Sequence, residues 1–147
     1  MKKFVAIIAA LVLALSCTAA LADTIIVATN PEYPPFEYVE GEATIGYDID
    51  LFDAIAKKAG FEYVIEPMAF DAVVSAVATN PNTVGLSGIS ITDERKLSVN
   101  FSEGYINAGL VVIVKADSGY TTTDDLKGKL IGVQQGTTSE FAAEEIT

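Results

Sequence analysis

Arg95 closes the run Thr92-Asp93-Glu94-Arg95, and its planar guanidinium can hold a carboxylate through two parallel charge-assisted hydrogen bonds. The competing use of such a residue is a solvated ion pair with the adjacent Asp93 or Glu94, worth little on its own. Asp48 and Asp50 could form an acid-base or metal-binding pair. Placed at the head of a helical repeat, they are better explained as acids that complement the helix dipole. With no histidine and a single cysteine, Cys17, the chain has no zinc site of the usual His/Cys kind, no Ser-His-Asp triad and no disulfide framework. Twenty acids against nine bases give a net charge of -11. A footprint for nucleic acid or for an anionic membrane surface would need clustered lysine and arginine, which the sequence lacks.

The elements that must position these residues follow from the periodicity of the 147-residue chain. Thr24 to Ala28 is a β-branched run and is expected to be a buried strand that ends at Asn30-Pro31. Tyr33-Pro34-Pro35-Phe36 cannot be helical, so it is expected to be extended and to present aromatic rings, with a turn at Glu40-Gly41-Glu42. Ile49, Phe52, Ala56 and Ala59 repeat at three and four, predicting a helix that ends at Lys57, Lys58 and Gly60. Strands are expected over 61–66 and 84–86, around a helix over 70–78. Strands are also expected over Leu110 to Val114 and Leu130 to Val133, a short helix at Asp124-Asp125-Leu126, and a helix from Ser139 onward. The alternation predicts βαβ units, a parallel sheet, and a second α/β unit beginning near Ala116.

Lys2 and Lys3 precede an apolar run from Phe4 to Leu15 that is too short to span a bilayer. Residues 1–22 are therefore expected to be a secretory signal peptide cleaved after Ala20-Leu21-Ala22, which implies a periplasmic protein. The alternative is a lipoprotein anchored at Cys17, after an imperfect box Ala14-Leu15-Ser16-Cys17.

Four segments together resemble the bacterial solute-binding proteins that deliver polar amino acids to ABC importers. They are Tyr33-Pro34-Pro35-Phe36-Glu37, Gly46-Tyr47-Asp48-Ile49-Asp50-Leu51, Ser87-Gly88-Ile89-Ser90-Ile91-Thr92-Asp93-Glu94-Arg95 and Gly132-Val133-Gln134-Gln135-Gly136-Thr137-Thr138. The resemblance implies an α/β periplasmic-binding-protein-like fold of type II, with two lobes that close on a ligand about a hinge. Lobe one would occupy 23–109, the hinge region 110–115, and the start of a truncated lobe two 116–147. It further implies a monomer that takes an amino acid, partners an inner-membrane permease, and uses no cofactor, metal or catalytic residue. Two alternatives share the resemblance: a periplasmic enzyme like cyclohexadienyl dehydratase, and the sensing domain of a receptor or kinase.

By the same resemblance Arg95 would hold the ligand's α-carboxylate. Gly88 would allow close backbone approach, and Ser90, where a threonine is commoner, would donate to the same group. Thr92 is better placed to cap the helix containing Arg95. Tyr33 and Phe70 fall on positions that line the side-chain pocket, whereas Phe36 is expected to be core. Asn30 stands where many members have an acid, which favours a neutral polar ligand. Gln134 and Thr138 match contact positions on the other lobe, Thr138 near a helix N-terminus whose free amides suit an anion. A plain N-cap role for Thr137, Thr138 or Ser139 is compatible with binding. Asn80 and Thr83 depart from the family pattern in a turn and in packing, outside the pocket.

Overall fold

The computed structural model describes residues 24–147, so the signal peptide, its cleavage after Ala22 and the Cys17 alternative lie outside the described residues. Strand β1 (Ile25–Thr29) is central in a parallel sheet, flanked by β5 (Tyr63–Pro67) and β6 (Thr83–Gly85) in the order β5-β1-β6. Val27 pairs with Ile65 on one side and Val84 on the other. Its β-branched run suits this position, because a strand with parallel neighbours on both edges is covered by crossover helices on its faces. Those helices are α1 (Tyr47–Ala59) and α2 (Phe70–Thr79).

The predicted repeat of α1 is borne out at Ile49, Phe52 and Ala56, which are buried, while Ala59 is exposed. Ile49 and Phe52 join Val27 and Leu86 in the core. Phe52 meets Phe61 and Tyr63 edge to face, at centroid distances of 5.9 and 5.1 Å, which seats α1 on β5. Gly60 follows the helix, as expected, in the left-handed conformation.

Between β1 and α1 the chain makes a second, antiparallel sheet of β2 (Glu32–Tyr33), β3 (Glu37–Glu40) and β4 (Ala43–Ile45). The periodicity did not anticipate it, since strands of two to four residues are too short to show alternation. The segment expected to be extended is instead a turn, in which the Phe36 N–H donates to the Tyr33 carbonyl at 2.9 Å. Its aromatic rings are presented all the same: Tyr33 stacks on Phe36 at 5.2 Å, and Phe36 meets the Tyr47 ring edge-on.

Beyond β6 come α3 (Asp93–Lys96), a 3₁₀ turn (Thr123–Leu126) and α4 (Thr138–Ile146). The expected strands at Leu110 to Val114 and Leu130 to Val133 are not formed, although the 3₁₀ turn falls on Asp124-Asp125-Leu126. Val111, Ile113 and Leu130 are 84%, 92% and 105% exposed. Apolar β-branched sequence makes a strand only where a neighbour takes its backbone N–H and C=O groups, and among the described residues these runs have none. Within 116–147 only Leu126 is buried.

This contrast in burial sets an expectation for hydrogen exchange by mass spectrometry on this chain. Amides of β1 should exchange slowest, and those of 102–117, exposed at every position, should exchange within the dead time. Strong protection across Leu110 to Val114 would show a strand pairing that this structure lacks.

Candidate functional site

The C-terminal ends of β1 and β5, the start of α2 and the loop before α4 enclose a cleft of about 520 Å³, whose lining includes Asn30, Glu32, Phe70, Asp71 and Gln134. Open α/β sheets place their ligand sites in such a position, off the carboxyl ends of parallel strands. Asn30, the first residue after β1, is buried, and every polar group it has is engaged. Its N–H donates to Ser87 Oγ at 3.1 Å, its Nδ2 to the Met68 carbonyl at 3.0 Å, and its Oδ1 accepts from Gln134 Nε2 at 2.8 Å. The Asn30–Gln134 pair joins residues 104 positions apart.

Arg95 makes a second span. Its Nη1 donates to the Ser90 carbonyl at 2.8 Å and its Nη2 to the Gly136 carbonyl at 2.9 Å. The guanidinium carbon lies 5.7 Å from the centre of the Phe70 ring, within cation–π range. No ion pair joins Arg95 to Asp93 or Glu94; Lys96 takes Asp93 instead. Burial lowers the Arg95 pKa from its ordinary value and Glu94 partly offsets this, so the side chain remains a cation. With two of five donors used, three can still meet an anion.

α3 is short, and its start is fixed by Thr92, whose Oγ1 accepts from the Arg95 N–H at 3.2 Å, as expected. Ser90 itself is exposed and reaches the cluster through its carbonyl. Gly88, at φ +53°, lies under the Tyr33 ring: a Cβ there would come 3.2 Å from that ring. Thr137 is the N-cap of α4, accepting from the Glu140 N–H at 3.2 Å, and Thr138 follows as the first helical residue, half-buried. The structure thus brings together Asn30, Phe70, Arg95 and Gln134, sets Tyr33 against Gly88, and leaves Ser90 and Thr138 at the margin.

Sequence reasoning missed Gly136. A Cβ there would fall 2.9 Å from the Asp71 Cα, so only glycine lets this loop reach α2 and offer its carbonyl to Arg95. It also missed the chemistry beneath the loop that follows β6. Asp48 is fully buried, not merely a dipole acid, and its Oδ2 accepts from the Gly88 N–H at 2.9 Å and the Tyr105 hydroxyl at 2.8 Å. Asp50, by contrast, is exposed. Glu37 is fully buried too, and its Oε1 accepts from Ser87 Oγ at 3.0 Å.

The remaining oxygens, Glu37 Oε2 and Asp48 Oδ1, are buried with no other donor. A proton on Glu37, donated to Asp48, satisfies both. Burial, opposed by the Ser87 bond and reinforced by the Asp48 charge and hydrogen bond, pushes the Glu37 carboxyl up to about 8. The signal that could have found the pair is that both acids sit inside the quoted motifs. Nothing in a binary pattern, however, predicts that a β-strand acid points inward.

The site and fold define an α/β protein with a ligand cleft at the mouth of a parallel sheet. Residues 25–143 match the family of bacterial extracellular solute-binding proteins, family 3. The chain belongs to that family, and its fold is that of the type II periplasmic binding proteins. It is 40% identical over 123 residues to the arginine-binding extracellular protein ArtP of Bacillus subtilis, covering 84% of this chain and 48% of that one. A crystal structure of the arginine-, lysine-, histidine-binding protein ArtJ of Geobacillus stearothermophilus superposes with a TM-score of 0.79 at 41% identity, over 84% of this chain and 53% of that one. The ancestral amino-acid-binding protein AncCDT-1, a precursor of cyclohexadienyl dehydratase, gives 0.76 at 37% identity, over 84% and 56%. The chain spans about half the length of the curated relatives it matches.

Glu37 holds its proton more tightly folded than unfolded, where its value is about 4.5. Its contribution to stability is therefore complete below about pH 4.5 and is lost as pH rises to about 8. Thermal melts of the wild type and Glu37→Gln should diverge across that window, by at most about 1.4 kcal/mol per pH unit in favour of the glutamine, and run parallel above it. Parallel curves throughout would mean that Glu37 is ionised in the folded protein.

Proposed function

We propose that this protein captures a polar amino acid outside the cytoplasm and passes it to the permease of an ABC importer, without chemistry on the ligand. The observation that carries the reading is Arg95, which stands with donors to spare at the rim where Phe70 and the Gly136 loop meet. A carboxylate there gains a charge-assisted, forked contact. Phe70 supplies an apolar face and Gln134 a polar edge within the cleft. Gly88 and Ser90 line a second cavity, and with Tyr33 and Thr138 they would meet the ligand only as the two sides close on it. Residues 23–109 act as one jaw, 116–147 as the start of the other, and 110–115 as the hinge region. Membership of an extracellular family supports export to the periplasm behind the signal peptide of residues 1–22.

An enzyme of this fold would need a proton donor in the cleft. Glu37, the one carboxylic acid among the described residues whose pKa is raised, is fully buried behind Ser87 and outside the cleft lining, so it is not placed to give a ligand its proton.

The ligand's side chain follows from the cleft wall. Asn30 alone argues for a neutral group, but its amide oxygen is taken by Gln134, and two carboxylates, Glu32 and Asp71, line the same cleft. The relatives ArtP and ArtJ carry arginine in their names. These observations together favour a cationic amino acid. Thermal-shift screening of the full chain against the common amino acids should therefore rank arginine or lysine above glutamine. A clear preference for glutamine would restore the Asn30 amide as the selector.

For the carboxylate contact, Arg95→Ala should weaken amino-acid binding by about 2 to 5 kcal/mol, and Arg95→Lys should recover little of it, because an ammonium cannot form the fork. Unchanged affinity by calorimetry in a folded Arg95→Ala protein would remove Arg95 from the site.

A further inference from the structure

The carboxyls of Glu37 and Asp48 are fully buried and do not line the cleft, yet each holds one residue of the loop that follows β6. Asp48 fixes the Gly88 N–H, and Glu37 fixes the Ser87 hydroxyl, which in turn accepts from the Asn30 N–H. Three elements remote in sequence, β3, α1 and the end of β1, therefore meet in one hydrogen-bonded chain. One branch runs Asn30 N–H, Ser87 O–H, Glu37 carboxyl, and the other joins Asp48 to the Gly88 N–H and the Tyr105 O–H; a proton on Glu37, given to Asp48, links the two.

Two carboxyls this deeply buried are compatible only if one is neutral, since a second negative charge would face the first with no cation beside it. The three ion pairs among the described residues, Lys57–Asp53, Lys96–Asp93 and Lys127–Asp124, all involve other acids. The titratable groups that face the pair are the Tyr105 hydroxyl, whose pKa burial and Asp48 push upward, and Tyr47, whose ring stacks on Tyr105 at 6.2 Å.

We infer that Glu37 and Asp48 are positioning residues of the ligand site: one proton shared between them holds together the Asn30 backbone, on the wall of the cleft, and Ser87 and Gly88, which line a second cavity behind it. Loss of that proton would set two carboxylates against each other directly beneath Gly88 and Ser87, and the loop would have to give. This inference rests on the reading of Asn30 and Gly88 as ligand-site residues, and it adds that binding is proton-linked through a carboxyl that does not line the cleft.

If the binding-competent loop requires the proton, the apparent affinity falls by the fraction still protonated, about tenfold one pH unit above the Glu37 pKa. Glutamine in place of Glu37 keeps both roles, an oxygen for Ser87 and an N–H donor for Asp48, at every pH.

The test has two arms on the full chain. In the first, amide spectra of ¹⁵N-labelled protein without ligand are followed from pH 6 to 10. The Asn30 and Gly88 amides should titrate together in the wild type with a midpoint near 8 and stay still in Glu37→Gln. In Ser87→Ala, which cuts the link to Asn30 alone, the Gly88 amide should still move and the Asn30 amide should not. In the second arm, calorimetry with arginine, or with the best ligand of the screen, compares wild type and Glu37→Gln at pH 7 and pH 9. The wild type should lose about tenfold more affinity than the variant, whose residual change reports the ligand's own amino group. Amides that titrate identically in wild type and Glu37→Gln, or equal loss of affinity in both, would overturn the inference. If the amides behave as expected and no amino acid binds either protein, the positioning role stands and the functional reading falls.

Discussion

A carboxylate buried without a cation must be answered by hydrogen bonds, and Asp48 answers that demand by recruiting distant parts of the chain. Its Oδ2 takes the Gly88 amide and the Tyr105 hydroxyl, and Oδ1 is left for a proton on Glu37. Because α1 carries Asp48, the helix cannot seat without drawing in the loop after β6. Because β3 carries Glu37, the small antiparallel sheet cannot seat without drawing in Ser87. The aromatic cluster of Tyr33, Phe36 and Tyr47 closes over this polar centre. The main core of Val27, Ile49, Phe52 and Leu86 holds α1 against the parallel sheet. The apolar core sets where the elements lie, and the buried acids set how the cleft loop is oriented upon them.

On that platform the cleft is lined by polar side chains such as Asn30, Glu32 and Gln134 beside the Phe70 ring. Asn30 ends β1 and Gln134 reaches it from the loop before α4; Arg95 reaches across in the opposite sense to Gly136. These two spans are polar contacts between well-buried parts of the chain and its sparsely buried C-terminal stretch, the kind of contact that can be exchanged for a ligand at small net cost.

Legibility in the sequence tracked the physical scale of each signal. β1, α1 and α2 were readable because their apolar periodicity extends over five to thirteen residues and is satisfied locally. The runs at Leu110 and Leu130 have the composition of strands but find no partner among the described residues, and pairing is not a local property. Around the cleft, Arg95 and Gln134 were legible through their motifs, Phe70 and Asn30 through the positions the resemblance assigns them, and the four do converge. Ser90 contributes its backbone, which no side-chain argument could foresee. Glu37 and Asp48 were illegible for a different reason: burying an acid is justified only by partners up to 57 residues away, and those become visible only when the fold is closed.

The central claim is that an amino acid's carboxylate lies on Arg95 in the cleft framed by Asn30, Phe70 and the Gly136 loop. The most direct measurement is a crystal structure of the full chain grown with arginine, or with the ligand a screen selects. The account predicts the α-carboxylate within hydrogen-bond distance of the Arg95 guanidinium, with the ligand's side chain along Phe70. A ligand bound elsewhere, with Arg95 still donating only to the Ser90 and Gly136 carbonyls, would contradict it.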